Sequence, residues 1–268
     1  MALNGKMNIT IDAIEGKSRL RHCFFTPPFK VMSIGENSNA RALELMIMNS
    51  SPGVLDNDNY SINITLCEAA ALHLSTQAYQ RLFQMQTGAV QQTTIIMREG
   101  SSLVYLPHPS VPHAGSHFFS KTHISIEKKC RLIIGEVLSN GRNLNGESFL
   151  FTRYQSRLEI FFHDRLRVCD NQVIEPAKAV HLKMGMLEGY SHQAGMFIIN
   201  SHIKEENMME QIRQMTMPGV CIGVSRLPQS GIVVRMLGTK AEQLHTLLKT
   251  MAQLFISNEA DQNGAYAV

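Results

Sequence analysis

The sequence of 268 residues predicts a mainly β protein, a β-helix or solenoid-like stack of short strands with two α-helices near the C-terminus. Three observations predict it. Short alternating segments recur at a period near 30 residues, the first two thirds of the chain carries almost no helical spacing, and two windows near the C-terminus place apolar residues three and four apart.

The repeat comes first. ITLCEAAALHLS (64–75), IIMREGSSLVYL (95–106) and ISIEKKCRLIIG (124–135) align without gaps. Each reads as an alternating strand, a turn of polar or small residues, and a second alternating strand. The leucine that opens the second strand falls at Leu72, Leu103 and Leu132, spacings of 31 and 29. A fainter fourth copy, LEIFFHDRLRV (158–168), has His163-Asp164-Arg165 as its turn. One such coil cannot bury its apolar face alone, so neighbours must stack. A β-sandwich of hairpins is the alternative that the same short strands allow.

From Met196 the texture changes. MFIINSHI reads as a strand, and EENMMEQIRQM sets Met208, Met209, Ile212 and Met215 at helical spacing, so a Met-rich helix is expected over 207–217. Pro218 and Gly219 end it. VCIGVSRL and SGIVVRML form a hairpin around Pro228 and Gly231. Thr239 and Glu242 make a capping box for a last helix over 239–257, with Leu244, Leu247, Leu248, Met251, Leu254 and Phe255 on one face. The expected organisation is a β body (1–195), a C-terminal strand–helix–hairpin–helix part packed on it (196–257), and a polar, disordered tail (258–268).

Composition narrows the function classes. A net charge of +3 without a basic run argues against nucleic acid. No apolar segment has the length of a membrane span. The N-terminus lacks an apolar signal core, so a cytoplasmic location is expected. The five cysteines are scattered, with no Cys-x-x-Cys pair, and read as reduced thiols. Walker, G-x-G-x-x-G, H-E-x-x-H and G-x-S-x-G motifs are all missing, so catalysis and nucleotide binding by this chain are not expected.

Two constellations remain. His108, His113, His117 and His123 crowd one proline-rich stretch, without the short recurring spacings of a closed zinc site. They read as loop groups, with a transient contact to nickel, copper or zinc as the alternative. The second constellation is acidic: Asp56 and Asp58 in SPGVLDNDNY, then Glu136 and Glu147 flanking VLSNGRNLNGE. Each acid alone reads as a turn residue or a partner of Arg142, and only stacking of coils would bring them to one channel.

Taken in order, RHCFFTPPFKVM, SPGVLDND, LHLSTQAYQRLF, LVYLPHPSVPH and GEVLSNGRNLNGESF resemble the urease accessory protein UreD family, called UreH in some bacteria. The resemblance implies a nonenzymatic maturation chaperone of β-helical fold. It implies binding to UreF, recruitment of the GTPase UreG through UreF, docking onto apo-urease, and an internal path along which nickel travels. No tightly bound cofactor is implied, only transient Ni2+. Position by position, Asp58 matches the aspartate of the family's Gly-Asp turn, Thr76 and Gln77 its Thr-Gln segment, and Glu136, Gly141, Arg142 and Glu147 its Glu, Gly-Arg and Glu pattern. Asp58, Glu136 and Glu147 are therefore expected to line the nickel path, with Thr76, Gln77 and Arg142 in support. The departures are Asn57 in place of the turn glycine, Gln80 and Arg81 where a lysine is common, and His108 and His113 in the proline-rich loop. Two other functions stay open: a scaffold that holds apo-urease without conducting metal, and a metal-dependent hydrolase built on the histidines.

Overall fold

The computed structural model describes residues 2–35, 41–178, 186–200, 205–228 and 231–264, and the side chains of all of these except 144 and 257–264. Among them the strands form two packed sheets. The first runs β2 (Lys17–Phe25), β1 (Asn4–Ile14), β5 (Asn59–Leu66), β8 (Ala89–Met97), β11 (His117–Ile126), β13 (Arg153–Phe162) and β14 (Arg165–Ile174). The second runs β3 (Phe29–Ser33), β4 (Leu43–Asn49), β6 (Ala71–Thr76), β9 (Ser102–Tyr105), β12 (Arg131–Ser139), β15 (His192–Asn200), β17 (Gly231–Gly238) and β16 (Val220–Leu227). Short strands β7 (Gln80–Leu82) and β10 (Ser110–Pro112) pair beside it.

Each repeat gives one strand to each sheet. In the first sheet β5, β8 and β11 pair in parallel, with Ile64 opposite Ile95 and Ile95 opposite Ile124. In the second sheet β6, β9 and β12 pair in parallel, with Leu72 opposite Leu103 and Leu103 opposite Leu132. The leucines that marked the repeat are thus direct cross-strand neighbours, each fully buried. Between the strands of a repeat the chain turns a corner, and one residue per corner is left-handed: Ala69 (φ 57°), Gly100 (φ 69°) and Lys129 (φ 57°). The corners stack through the main chain, Ala69 N–H donating to the Glu99 carbonyl at 2.9 Å and Gly100 N–H to that of Lys128 at 3.0 Å.

The fourth copy behaves differently. β13 and β14 form an antiparallel hairpin inside the first sheet. Its turn holds two consecutive left-handed residues, His163 (φ 46°) and Asp164 (φ 59°), the geometry of a two-residue hairpin loop. Antiparallel pairs also flank the second sheet, where β3 meets β4 and β12 meets β15. The mainly β class with two helices holds, but a solenoid over the whole of 1–195 is not confirmed: the sheets are parallel in the middle and antiparallel at both flanks.

One apolar cluster fills the space between the sheets, and a second lies between the second sheet and the helices α1 (Glu205–Gln214) and α2 (Ala241–Gly264). Strand β12 serves both, Leu132 and Ile134 facing inward while Ile133 and Val137 meet the helical layer. Burial on both faces is why its sequence is a continuous apolar run. Gly135 lets α2 approach, since a Cβ there would sit 3.0 Å from a Leu106 methyl and 3.3 Å from one of Leu248. Residue 196 lies inside β15, which pairs with β12 from Arg131–Asn200 to Ser139–His192. Helix α2 extends through Gly264, into the expected tail, and residues 265–268 lie outside the described ones.

Two substitutions separate packing from corner geometry. Leu103→Ala empties a fully buried site and is expected to cost about 3 kcal/mol. Gly100→Ala makes only ordinary contact, with Ala69 Cα at 3.9 Å, but forces alanine left-handed, so about 1 kcal/mol is expected. Urea denaturation measures both, and a corner substitution as costly as the core one contradicts this account.

Candidate functional site

Alternation carries more than a core. The inward positions of β8 are Ala89, Gln91, Thr93, Ile95 and Met97; those of β11 are Phe118, Ser120, Thr122, Ile124 and Ile126; those of β13 are Tyr154, Ser156, Leu158 and Ile160. On each strand the second half is apolar and packs against the facing sheet. The first half carries amide and hydroxyl groups, in cross-strand register: Gln91 opposite Ser120, Ser120 opposite Ser156, Thr93 opposite Thr122. Polar groups closed into a dry core cost free energy. Here they face a cavity of about 780 Å³ between the sheets.

Its lining is partly apolar, with Phe29, Ile62, Phe118, Ile134 and Phe197, and partly a hydrogen-bonded polar network. Gln80 donates an amide N–H to Gln91 Oε1 at 2.9 Å and accepts from the Ser110 hydroxyl at 3.0 Å. Glu136 reaches in from β12. It accepts from the Ser156 hydroxyl at 2.8 Å on one oxygen and from Gln172 Nε2 at 2.9 Å on the other. The same Gln172 amide is 2.9 Å from Asp170, and Gln193 donates to its carbonyl oxygen at 2.6 Å. Enclosure by protein and the neighbouring Asp170 carboxylate push the Glu136 carboxyl above the ordinary range; Ser156 and Arg235 pull the other way without cancelling it. Asp170 is engaged by Arg235 at 2.7 Å, and that guanidinium lies over the Phe197 ring at 5.2 Å. Gly195 makes room for it, because a Cβ there would stand 2.5 Å from Arg235 Nη1.

The lining also reaches solvent, at a mouth formed by Gln77, Ala78 and Tyr79 of the loop after β6, Arg81 of β7, and Glu242, Thr246 and Lys249 of α2. Two histidines sit just inside. His108 and His245 have ring centres 4.8 Å apart, and Tyr79 meets His108 edge-on at 5.9 Å. Thr76 Oγ1 accepts the His108 backbone N–H at 2.8 Å and lies 3.1 Å from its Nδ1. Burial, reinforced by Lys249, lowers the pKa of both rings, that of His245 to about 4.

Of the residues singled out in the sequence, Glu136, Thr76 and Gln77 line the cavity; Asp58, Glu147 and Arg142 do not. Asp58 is buried and occupied by three donors: Leu3 N–H at 2.8 Å, Leu55 N–H at 2.9 Å and the Tyr60 hydroxyl at 2.7 Å. Tyr60 in turn stands edge-on to Phe29, which does line the cavity. Glu147 is clasped by Arg142, with Arg142 Nε at 2.8 Å, and accepts the Ala114 N–H at 3.3 Å. The four clustered histidines disperse: His113 packs on Phe83, His123 on Phe161, and only His108 reaches the cavity. Among the described residues no group of three or more His, Cys, Asp or Glu could hold a metal ion. The cysteines there are free, but the burial usual for such thiols holds only for Cys130, and Cys169 and Cys221 are exposed. Asp170, Gln172, Arg235 and His245 escaped sequence reading. The one signal for His245 is its place inside the apolar stripe of α2, between Leu244 and Leu248.

The raised pKa of Glu136 has a measurable consequence. The folded chain holds this proton to higher pH than the unfolded chain does. Stability therefore falls as pH rises from the ordinary glutamate range to the folded pKa, and is level above it. Glu136→Gln is expected to raise the urea midpoint at about pH 8 and to leave it unchanged at about pH 4. A lower midpoint at the alkaline pH contradicts this.

Comparison with known proteins places the chain. A family model described as the UreD urease accessory protein matches residues 3–266. The urease accessory protein UreD of Flavobacterium johnsoniae is 38% identical over 258 residues, covering 95% of this chain and 93% of that protein. The UreD protein of Haemophilus influenzae is 36% identical over 270 residues, covering 95% and 100%. That of Acetivibrio thermocellus is 33% identical over 252 residues, covering 93% and 96%. With nearly full-length matches to both the family and its members, the chain belongs to the UreD urease accessory protein family.

Proposed function

We propose that this protein is a non-enzymatic chaperone of urease maturation that passes nickel along its interior cavity to apo-urease. In this reading it works in the cytoplasm, in a complex with UreF and, through UreF, the GTPase UreG. The observation that carries the reading is the cavity with Glu136 inside it. A divalent ion crossing a protein needs a path wet enough to keep part of its hydration shell, and groups that exchange with that shell without trapping it. Hydroxyls, amides and a few carboxylates, Glu136 and Asp170 inside and Glu242 at the mouth, meet both needs; a closed Cys/His cage would hold the ion.

Glu136 is the acid placed to meet the cargo. Enclosure raises its pKa, so an arriving ion competes with a proton for this oxygen pair and supplies the charge that enclosure withholds. Gln172 ties Glu136 to Asp170, and Asp170 stays neutralised by Arg235. Asp58 and Glu147, filled by their own donors, act at one remove: Asp58 holds Tyr60 behind Phe29, and Glu147 with Arg142 holds the loop after β12. GTP hydrolysis falls to the partner, consistent with the absence of a phosphate loop in this sequence.

Plugging the cavity tests the path apart from the acid. Ser120→Leu with Thr122→Leu, two lining positions, is expected to cut nickel per urease about tenfold at limiting nickel while UreF is still retained in a pull-down. Metal analysis of urease matured by co-expression reads the result. Normal nickel loading with the cavity filled removes the path and leaves a scaffold that holds apo-urease for another donor.

A further inference from the structure

We infer that His108 and His245 form a two-imidazole binding station for a borderline divalent transition ion at the mouth of the cavity, with Thr76 positioning the first ring. Three observations converge. The rings are 4.8 Å apart between centres, one from the loop after β9 and one from α2. An ion about 2.1 Å from one nitrogen of each ring would lie roughly 3.2 Å from each ring centre, which at this separation makes an angle near 95° at the ion, suited to adjacent coordination positions.

The outer hydrogen bonds are those that ligating imidazoles use. His245 Nε2 lies 3.5 Å from the Leu106 carbonyl, a group that can only accept, so Nε2 carries the proton and Nδ1 the lone pair. His108 Nδ1 lies 3.1 Å from Thr76 Oγ1, the oxygen that also accepts the His108 backbone N–H; with Nδ1 donating there, the lone pair stands on Nε2. Each ring thus donates one N–H to the protein and keeps the other nitrogen free, the arrangement that fixes tautomer and orientation in metal sites.

The surroundings make the station loose. Among the described residues no third His, Cys, Asp or Glu completes a set, so water fills the remaining positions. Lys249 acts on both rings and opposes a cation at this mouth, which keeps the station weak. Imidazole discriminates where the carboxylate of Glu136 cannot: it favours nickel, copper and zinc over magnesium and calcium. A two-nitrogen station ahead of an oxygen-lined cavity would select the ion before the cavity passes it on, and that role rests on the path proposed above.

Titration of the purified full-length chain with Ni2+ alone, followed by calorimetry, tests the station without urease. A site is expected whose affinity drops at least about tenfold in His108→Gln and in His245→Phe, drops less in Thr76→Val, and is unchanged in the control His117→Ala. Mg2+ should give no heat at that site. The His108 ring is half-buried, so His108→Gln keeps the test valid if His245→Phe does not fold. Unchanged Ni2+ affinity in the folded His108 variant overturns the station. Histidine-dependent binding with normal urease loading through a plugged cavity upholds the station and removes only the path.

Discussion

The two sheets cannot close over the first halves of their inner strands, because the residues there are polar. Gln91, Thr93, Ser120, Thr122 and Ser156 occupy inward positions in adjacent parallel strands, and no register of those strands turns them outward without exposing Ile95, Ile124 and Ile160. A one-residue slip would exchange the faces of the whole strand. The apolar halves therefore fix the register, and the register obliges the polar halves to line a cavity. Strong packing at one end of the strands maintains an unpacked interior at the other.

That constraint also explains why a carboxylate is tolerated so deep. Glu136 has a hydroxyl on one oxygen and an amide on the other, which satisfies its hydrogen bonding but not its charge. Arg235, the nearest cation to this cluster, is committed to Asp170 and to the face of Phe197. Glu136 is left with its pKa raised and its charge only partly offset. On the proposed nickel path such a group has a use: a fully paired carboxylate has nothing to offer an ion, and an exposed one offers no selectivity over solvent. Asp58 and Glu147 illustrate the paired case, with every near donor already spoken for.

Much of the fold was legible in the residues. The aligned leucines at 72, 103 and 132 are direct partners in the sheet, and the apolar stripes of both helices mark their buried faces. What the pattern could not separate was a corner from a hairpin. Both use a polar turn with left-handed residues; the difference is one such residue in the first three copies and two in the fourth. Lys129 and Ala69 give no sign of φ in their side chains, whereas Gly100 does. Among the acids, Glu136 is marked only as flanking VLSNGRNLNGE with Glu147 and by the family resemblance, which does not tell the two apart. The Glu136 partners Asp170 and Gln172 lie on β14, at the far edge of the other sheet, and nothing local announces that the fold turns them toward it. His245 was hidden for the opposite reason, since a single polar residue in an amphipathic stripe reads as core.

The central claim is that a divalent ion enters the space between the sheets and meets Glu136. Crystals soaked in nickel and measured at the nickel absorption edge test it directly. The account predicts an anomalous peak inside the cavity within coordinating distance of the Glu136 carboxylate, lost in crystals of Glu136→Gln. Peaks confined to surface histidines, with the cavity empty at every nickel concentration, would contradict it.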